Sequence, residues 1–267
     1  MNIKRISAIV LRQFYLLRGS FSRVLPLFMW VAIDIVLWGF ISRYLNAVTT
    51  PGFNFVTVLL GAVLMWDFFV RVMQGVTMAF FEDVWSRNFL NFFATPLYLS
   101  EYLCGLVLSG IITSSVGLLV MISLAGLAFN LSFFAYGLML VPFILVLFLF
   151  GIAMGIAASA MVLRLGPAAE WFVWPTPALL APFAGVFYPI SVLPHWMQYV
   201  SYLLPPSYVL EGMRQIISGG TASINLLLFG FSLSIIYILL ACRLFTGVYR
   251  HAVRTGIIAR YSAESVS

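Results

Sequence analysis

Lysine is almost missing from this chain: Lys4 is the only one. That absence removes a large group of activities. A P-loop requires G-x-x-x-x-G-K-[ST], and Lys4 lies in an amphipathic amino-terminal stretch with no such context. Charge of either sign is also scarce, with 14 Lys and Arg and 8 Asp and Glu in 267 residues, against 63% hydrophobic residues. A soluble domain carries about a quarter charged residues, so this composition cannot cover a water-facing surface. Histidine and cysteine number two each. His195 and His251 stand far apart, with no metal-ligand partner at recognisable spacing. Cys104 and Cys242 form no C-x-x-C, and no disulfide is expected of them. No nucleophile–His–acid set is legible. We expect no catalytic residue, no metal ligand and no cofactor bound by this chain.

What is present is a series of apolar runs at 24–41, 55–70, 103–129, 133–162, 171–190 and 225–241, with mean hydropathy +1.08 over the chain. Each is about as long as a bilayer core requires, roughly 20 helical residues. Backbone amides in lipid must be paired internally, by helices or by a closed barrel. These runs do not alternate apolar and polar residues as barrel strands do, so helices are expected. The predicted fold is an all-α polytopic membrane protein, one membrane domain over residues 1–267 with six transmembrane helices.

The basic residues set its orientation. With the amino terminus inside, Lys4, Arg5, Arg12, Arg18, Arg23, Arg87, Arg164, Arg243, Arg250, Arg254 and Arg260 are cytoplasmic. Arg43 and Arg214 fall outside, and Arg71 lies near the cytoplasmic end of span two. Both termini are therefore expected in the cytoplasm. The basic balance belongs to topology and anionic headgroups, not to nucleic acid. No cleavable signal is expected, because the first apolar run follows a basic amphipathic stretch without a small-residue cleavage site.

Residues 1–23 read as an interfacial helix, with Ile3, Ile6, Val10, Phe14 and Leu17 on one face and basic residues on the others. Pro26 suits the first turn of span one. Span two is expected over 55–76. A separate amphipathic helix follows over 80–94, with Glu82 and Asp83 at its positive end and Thr95-Pro96 ending it. Its exposed aromatics beside Glu and Arg suit docking into a partner's groove or anchoring in the interface. Gly151, Gly155 and Ser159 recur every fourth residue and allow close helix packing, within one subunit more readily than between two. Residues 171–218 are the least regular. Prolines divide them into a broken span and a hairpin over 186–218, and a tail follows at 246–267.

Few charges interrupt the apolar runs. Asp34 lies near the middle of span one. Asp67 and Arg71 stand at i,i+4 on span two, where one helical face holds both. A mid-bilayer charge costs roughly 2.5–3.5 kcal/mol, so each needs a partner or water. The residues fit a buried Asp67–Arg71 pair better than direct substrate contact, and Asp34 has no local partner. Glu211 and Arg214 fit a second pair that braces the hairpin.

Two ordered stretches carry a family resemblance. The first is Glu82…Arg87-Asn88…Leu90…Thr95-Pro96-Leu97…Glu101. The second is Gly185-Val186-Phe187-Tyr188-Pro189…Leu193-Pro194…Trp196…Leu204-Pro205-Pro206…Tyr208…Glu211-Gly212…Arg214. With the basic amino-terminal helix, they resemble the type-2 ABC exporter permease family across essentially the whole chain. The resemblance implies a second permease chain, as a homodimer, and a separate cytoplasmic ABC ATPase that holds ATP and Mg. It implies a coupling helix at 80–94 (Glu82, Asp83, Trp85, Arg87, Asn88, Leu90) and an external re-entrant hairpin (Tyr188, Pro194, Trp196, Glu211, Arg214). Asp34, Asp67 and Arg71 become candidates for the pathway. The expected protein is an exporter permease in a bacterial-type inner membrane, surrounded by lipid, moving a hydrophobic or amphipathic molecule such as a drug, lipid or lipid-linked metabolite. The alternatives are export of lipid-linked polysaccharide and, from another class, a proton- or ion-coupled carrier.

Overall fold

The structure is a computed structural model and describes residues 2–19, 21–48, 55–86, 91–92 and 95–256. Among them there is no strand. Helix α1 covers Ile3–Arg18 and α2 Phe21–Val48. A π-helical turn, Val56–Leu60, runs directly into α3, Gly61–Trp85. Next come α4, Leu99–Phe129, a 3₁₀ segment at Phe133–Met139, and α5, Leu140–Leu165. Two short helices follow, α6 at Glu170–Val173 and α7 at Thr176–Ala184. The chain then forms α8, His195–Tyr202, α9, Pro205–Ile217, and α10, Ile224–Thr255.

Among the described residues, five helical stretches are long and apolar enough to cross a membrane: Met29–Val48, Val56–Trp85, Leu99–Phe129, Phe133–Leu165 and Ile224–Thr255. The run at 171–190, expected as a broken span, is divided. Trp174-Pro175 separates α6 from α7, and Gly185 stops α7 with φ +75, a backbone that glycine adopts without steric penalty.

Three expectations are corrected. Helix α2 starts at Phe21, so Pro26 lies beyond the first turn. Helix α3 does not end at residue 76 but continues to Trp85, which puts Glu82 and Asp83 in its last turn instead of at the start of a new helix. The reason is the spacing of its apolar residues. Val72, Val76, Phe80 and Val84 recur every fourth residue, and all are buried. Burial of that stripe, at about 25 cal/mol per Å², outweighs the local polar signal. On α1 the face packed inward is Ile6, Ile9 and Gln13, while Ile3 and Phe14 point away, 81% and 55% exposed.

Helix α3 is the centre of the bundle, with α4 on one side and α5 on another; α10 packs on α5, and α1 lies against α4. Small residues set these approaches. A Cβ on Gly75 would stand 3.1 Å from the Cα of Gly110, and one on Gly155 would stand 2.8 Å from both the Met73 carbonyl oxygen and Val76 Cβ. Gly151 meets Val72, and Ser159 is fully buried. The stripe of small residues on α5 thus packs within the chain, against α3.

At the far end of α3, the Tyr136 hydroxyl donates to the Thr57 carbonyl oxygen at 2.8 Å and occupies the space left by Gly61. This ties the α4–α5 hairpin to the π turn. Large apolar side chains remain exposed along α2 (Ile33, Val36, Leu37, Phe40) and α10 (Ile236, Leu239, Leu240), the surfaces expected to meet lipid or another subunit.

Glycine substitutions test this packing. Gly155→Leu must displace backbone, and we expect it to destabilise the chain by about 1–3 kcal/mol. Gly247→Ala, on α10 with no atom within 4 Å of an added Cβ, should stabilise it by about 0.5–1 kcal/mol. Thermal unfolding in detergent, followed by loss of the monodisperse chromatographic peak, reads both signs.

Candidate functional site

The α1 end of the bundle is organised by two buried carboxylates. Asp83 is fully buried in the last turn of α3. The Tyr102 hydroxyl donates to its Oδ2 at 2.7 Å, and Arg12 of α1 forms an ion pair with its Oδ1. Glu101, 1% exposed, lies in the first turn of α4. Its Oε1 accepts from the backbone N–H of Asn2 at 2.7 Å, and its Oε2 accepts from Arg5 at 3.2 Å and from the Tyr98 N–H at 3.1 Å. A Glu three residues into a helix reaching back to the capping N–H is half of a capping box. Here the same carboxylate also holds α1.

Further contacts close the joint. Gln13 donates to the Ala79 carbonyl oxygen at 3.3 Å, and Ile9 fills the space above Gly105. The guanidinium of Arg12 lies 4.9 Å from the centre of the Phe92 ring, and that of Arg5 lies 5.7 Å from the Tyr98 ring. Cation–π contacts of this kind contribute about 0.5–2 kcal/mol each. Thus α1, the end of α3, the start of α4 and parts of the segment between them form one unit.

The residues expected at a partner dock therefore have different surroundings. Asp83 faces inward and serves the joint. Glu82 is half-buried, and Trp85 is exposed, donating its indole N–H to Glu170 at 2.6 Å. Partial removal from water raises the Glu170 carboxyl above its usual range, which the Trp85 donor partly offsets. Arg87, Asn88 and Leu90 lie outside the described residues.

A second group sits inside the bundle. Asp34 of α2, Asp67 and Arg71 of α3 are all partly buried. They are close enough to act electrostatically on one another. The Oδ2 of Asp67 is buried without a hydrogen-bond donor. The Arg71 side chain passes over Gly117 of α4, whose added Cβ would lie 3.3 Å from Arg71 Cδ and 3.5 Å from a guanidinium nitrogen. Three helices therefore meet at these charges, and Gly117 makes room for them.

The third group is the hairpin between α7 and α9. Arg214 donates to the carbonyl oxygens of Gly185 and Val186, the latter at 3.2 Å, and to Glu211 at 3.1 Å. Glu211 also accepts from the Ile190 N–H at 2.7 Å. The irregular backbone after Gly185 therefore has its polar groups answered by α9. Tyr188 donates to the Pro182 carbonyl oxygen at 3.1 Å, and Ser201 donates to that of Phe183 at 2.6 Å. Pro194 precedes the first turn of α8, and Trp196 stays 64% exposed beside Phe183. A cleft of about 630 Å³ opens here, bordered by Tyr188, Glu211 and Arg214 and by Leu45, Phe55 and Leu59. Trp38 of α2 stacks on Phe187, 5.0 Å between ring centres, beside it.

Sequence reasoning paired Asp67 with Arg71 and Glu211 with Arg214, and named no local partner for Asp34. It missed the joint made by Arg5, Arg12, Glu101 and Tyr102. Two signals were available: Glu101 at the capping-box position after Thr95-Pro96, and Arg5 and Arg12 seven residues apart on one face of α1.

A family model described as ABC-2 type transporter matches residues 5–218, a span that contains all three groups. No curated protein matches the chain.

The joint has a measurable strength. Asp83→Ala leaves Arg12 and Tyr102 without their acceptor, and we expect a loss of about 3–5 kcal/mol, the range for breaking a buried pair. Arg12→Gln combined with Asp83→Asn should cost less than the two separate losses, by at least about 0.5 kcal/mol. A double-mutant cycle on thermal stability measures that coupling; additive losses would show that the two side chains do not work as a pair.

Proposed function

We propose that this chain, which belongs to the ABC-2 type transporter family, is the permease subunit of an ATP-driven exporter for a hydrophobic or amphipathic molecule. Membership makes it the membrane component of an ABC transporter and implies association with an ABC ATPase. The observation that carries the reading is the family match over residues 5–218. The chain's lack of any lysine but Lys4 supports a separate ATPase subunit, because a P-loop needs that residue.

In this reading the α1 end is cytoplasmic, with both termini there, in a bacterial-type inner membrane. Lys4, Arg5, Arg12, Arg18, Arg164, Arg243 and Arg250 support that orientation. The broken stretch 171–184 makes a sixth, short crossing. The 186–218 hairpin re-enters from outside, with Arg214 and Glu211 answering backbone that lipid could not. The ATPase docks beside the end of α3 and the following segment, which contains Arg87, Asn88 and Leu90, with Trp85 and Glu82 at the rim.

The mechanism follows from rigidity. A push on this segment reaches α1, α3 and α4 together, because Asp83 and Glu101 lock them. Twelve residues separate Asp83 from Arg71 on one continuous helix, about 18 Å at 1.5 Å per residue. A tilt of α3 therefore carries Asp67 and Arg71 past Asp34 and Gly117, and opens or closes a path shared with a second permease chain. The exposed apolar faces of α2 and α10 leave room for that chain and for lipid.

The test is co-expression with a candidate P-loop ATPase subunit, sought first in the reading frames beside this gene, then reconstitution into proteoliposomes. We expect a stable complex and outward movement of a fluorescent amphiphile that requires ATP. Asp67→Asn should leave the complex intact and lower transport-coupled ATPase activity several-fold. Failure of any ATPase to bind, with uptake driven by a pH gradient alone, would sink the exporter and leave an ion-coupled carrier using the same charges.

A further inference from the structure

Helices α5 and α10 end side by side, and between them lies a groove of about 490 Å³. Arg164, in the last turn of α5, lines it together with Arg243, Gly247 and His251 of α10, which recur every fourth residue. All three cationic or titratable side chains are exposed, and among the described residues no acidic side chain lines the groove. Its flank is Leu240 and Leu244, 57% and 48% exposed, and the apolar face continues along α10 through Leu239 and Ile236. Gly247 keeps the groove open, since nothing lies within 4 Å of an added Cβ. Basic residues placed by topology alone need not converge on one site. Here two helices aim theirs into one space that joins directly to a lipid-facing stripe.

We propose that this groove binds one anionic phospholipid, its phosphate between Arg164 and Arg243 with His251 beside it, and an acyl chain along Leu244, Leu240 and Ile236 of α10. Charge complementarity selects the head, and the apolar stripe selects a lipid over a free phosphate. The assignment rests on the chain crossing a membrane and not on what it transports.

Native mass spectrometry of the full chain, purified with the subunits that accompany it, tests the site. The probes are phosphatidylglycerol and phosphatidylcholine with matched acyl chains. We expect phosphatidylglycerol to be retained preferentially. At about fivefold per basic side chain, Arg164→Gln with Arg243→Gln should weaken that retention roughly 25-fold. Arg250→Gln with Arg254→Gln removes the same charge from α10 outside the groove and should change it by less than about twofold. Gly247→Phe fills the groove at constant charge, so it should also abolish the preference, and it keeps the test alive where the double arginine variant fails to fold. Equal loss from the outer pair would mean a general surface charge and overturn the site. Displacement by excess inorganic phosphate would make the occupant a free anion, and a cross-link from Gly247→Cys to an accompanying subunit would make it a protein; either result overturns the lipid.

Discussion

Asp83 brings a carboxylate fully out of water, and one end of the molecule is arranged around meeting that charge. A buried anion is tolerable only when cations and donors surround it. Arg12 and Tyr102 supply them, from the first helix and from α4. Because Arg12 comes from outside the bundle, satisfying Asp83 draws α1 inward. Glu101 repeats the arrangement a short distance away with Arg5 and the Asn2 N–H. A helix that composition marks as a surface float becomes a structural member, packed through Ile6, Ile9 and Gln13.

The same logic, polar groups answered by protein where lipid cannot answer them, explains the hairpin and, apart from Asp67 Oδ2, the group inside the bundle. The hairpin after Gly185 has no regular hydrogen-bond ladder, so Arg214 and Glu211 take over its exposed carbonyl and amide groups. Inside the bundle, Gly117 yields space to Arg71, and Asp34 and Asp67 balance its charge from two helices. Between these polar points the packing is of small residues on branched ones, Gly151 on Val72 and Gly155 on Val76. It leaves the α3–α5 contact close and without polar cost.

Much of this was legible in the sequence. Long apolar runs gave helices, because lipid admits only helices or a closed barrel and these runs do not alternate as barrel strands do. The prolines at 175, 177 and 182 announced a broken stretch, and the spacing of Glu211 and Arg214 announced a pair. The end of α3 was misread because Glu82-Asp83 is a helix-start signal locally. The buried stripe through Phe80 and Val84 overrides it only once α4 and α10 are in place, as the Phe80–Phe245 contact shows. Partners separated widely in sequence were not legible at all. Nothing near Arg12 points to Asp83, and nothing near Asn2 points to Glu101.

That last separation has a consequence for how the chain is made. The Asn2 N–H and its acceptor Glu101 are 99 residues apart. Synthesis at about 5–20 residues per second leaves α1 finished for roughly 4 to 17 s before Glu101 exists. Through that interval α1 lacks α4, its main packing surface, and Ile6 and Ile9 need another apolar phase. Its two-faced sequence lets it rest on the membrane surface meanwhile. The exchange of lipid for α3 and α4 beneath it then becomes a late assembly step, by which a segment translated before its partners is among the last to be seated.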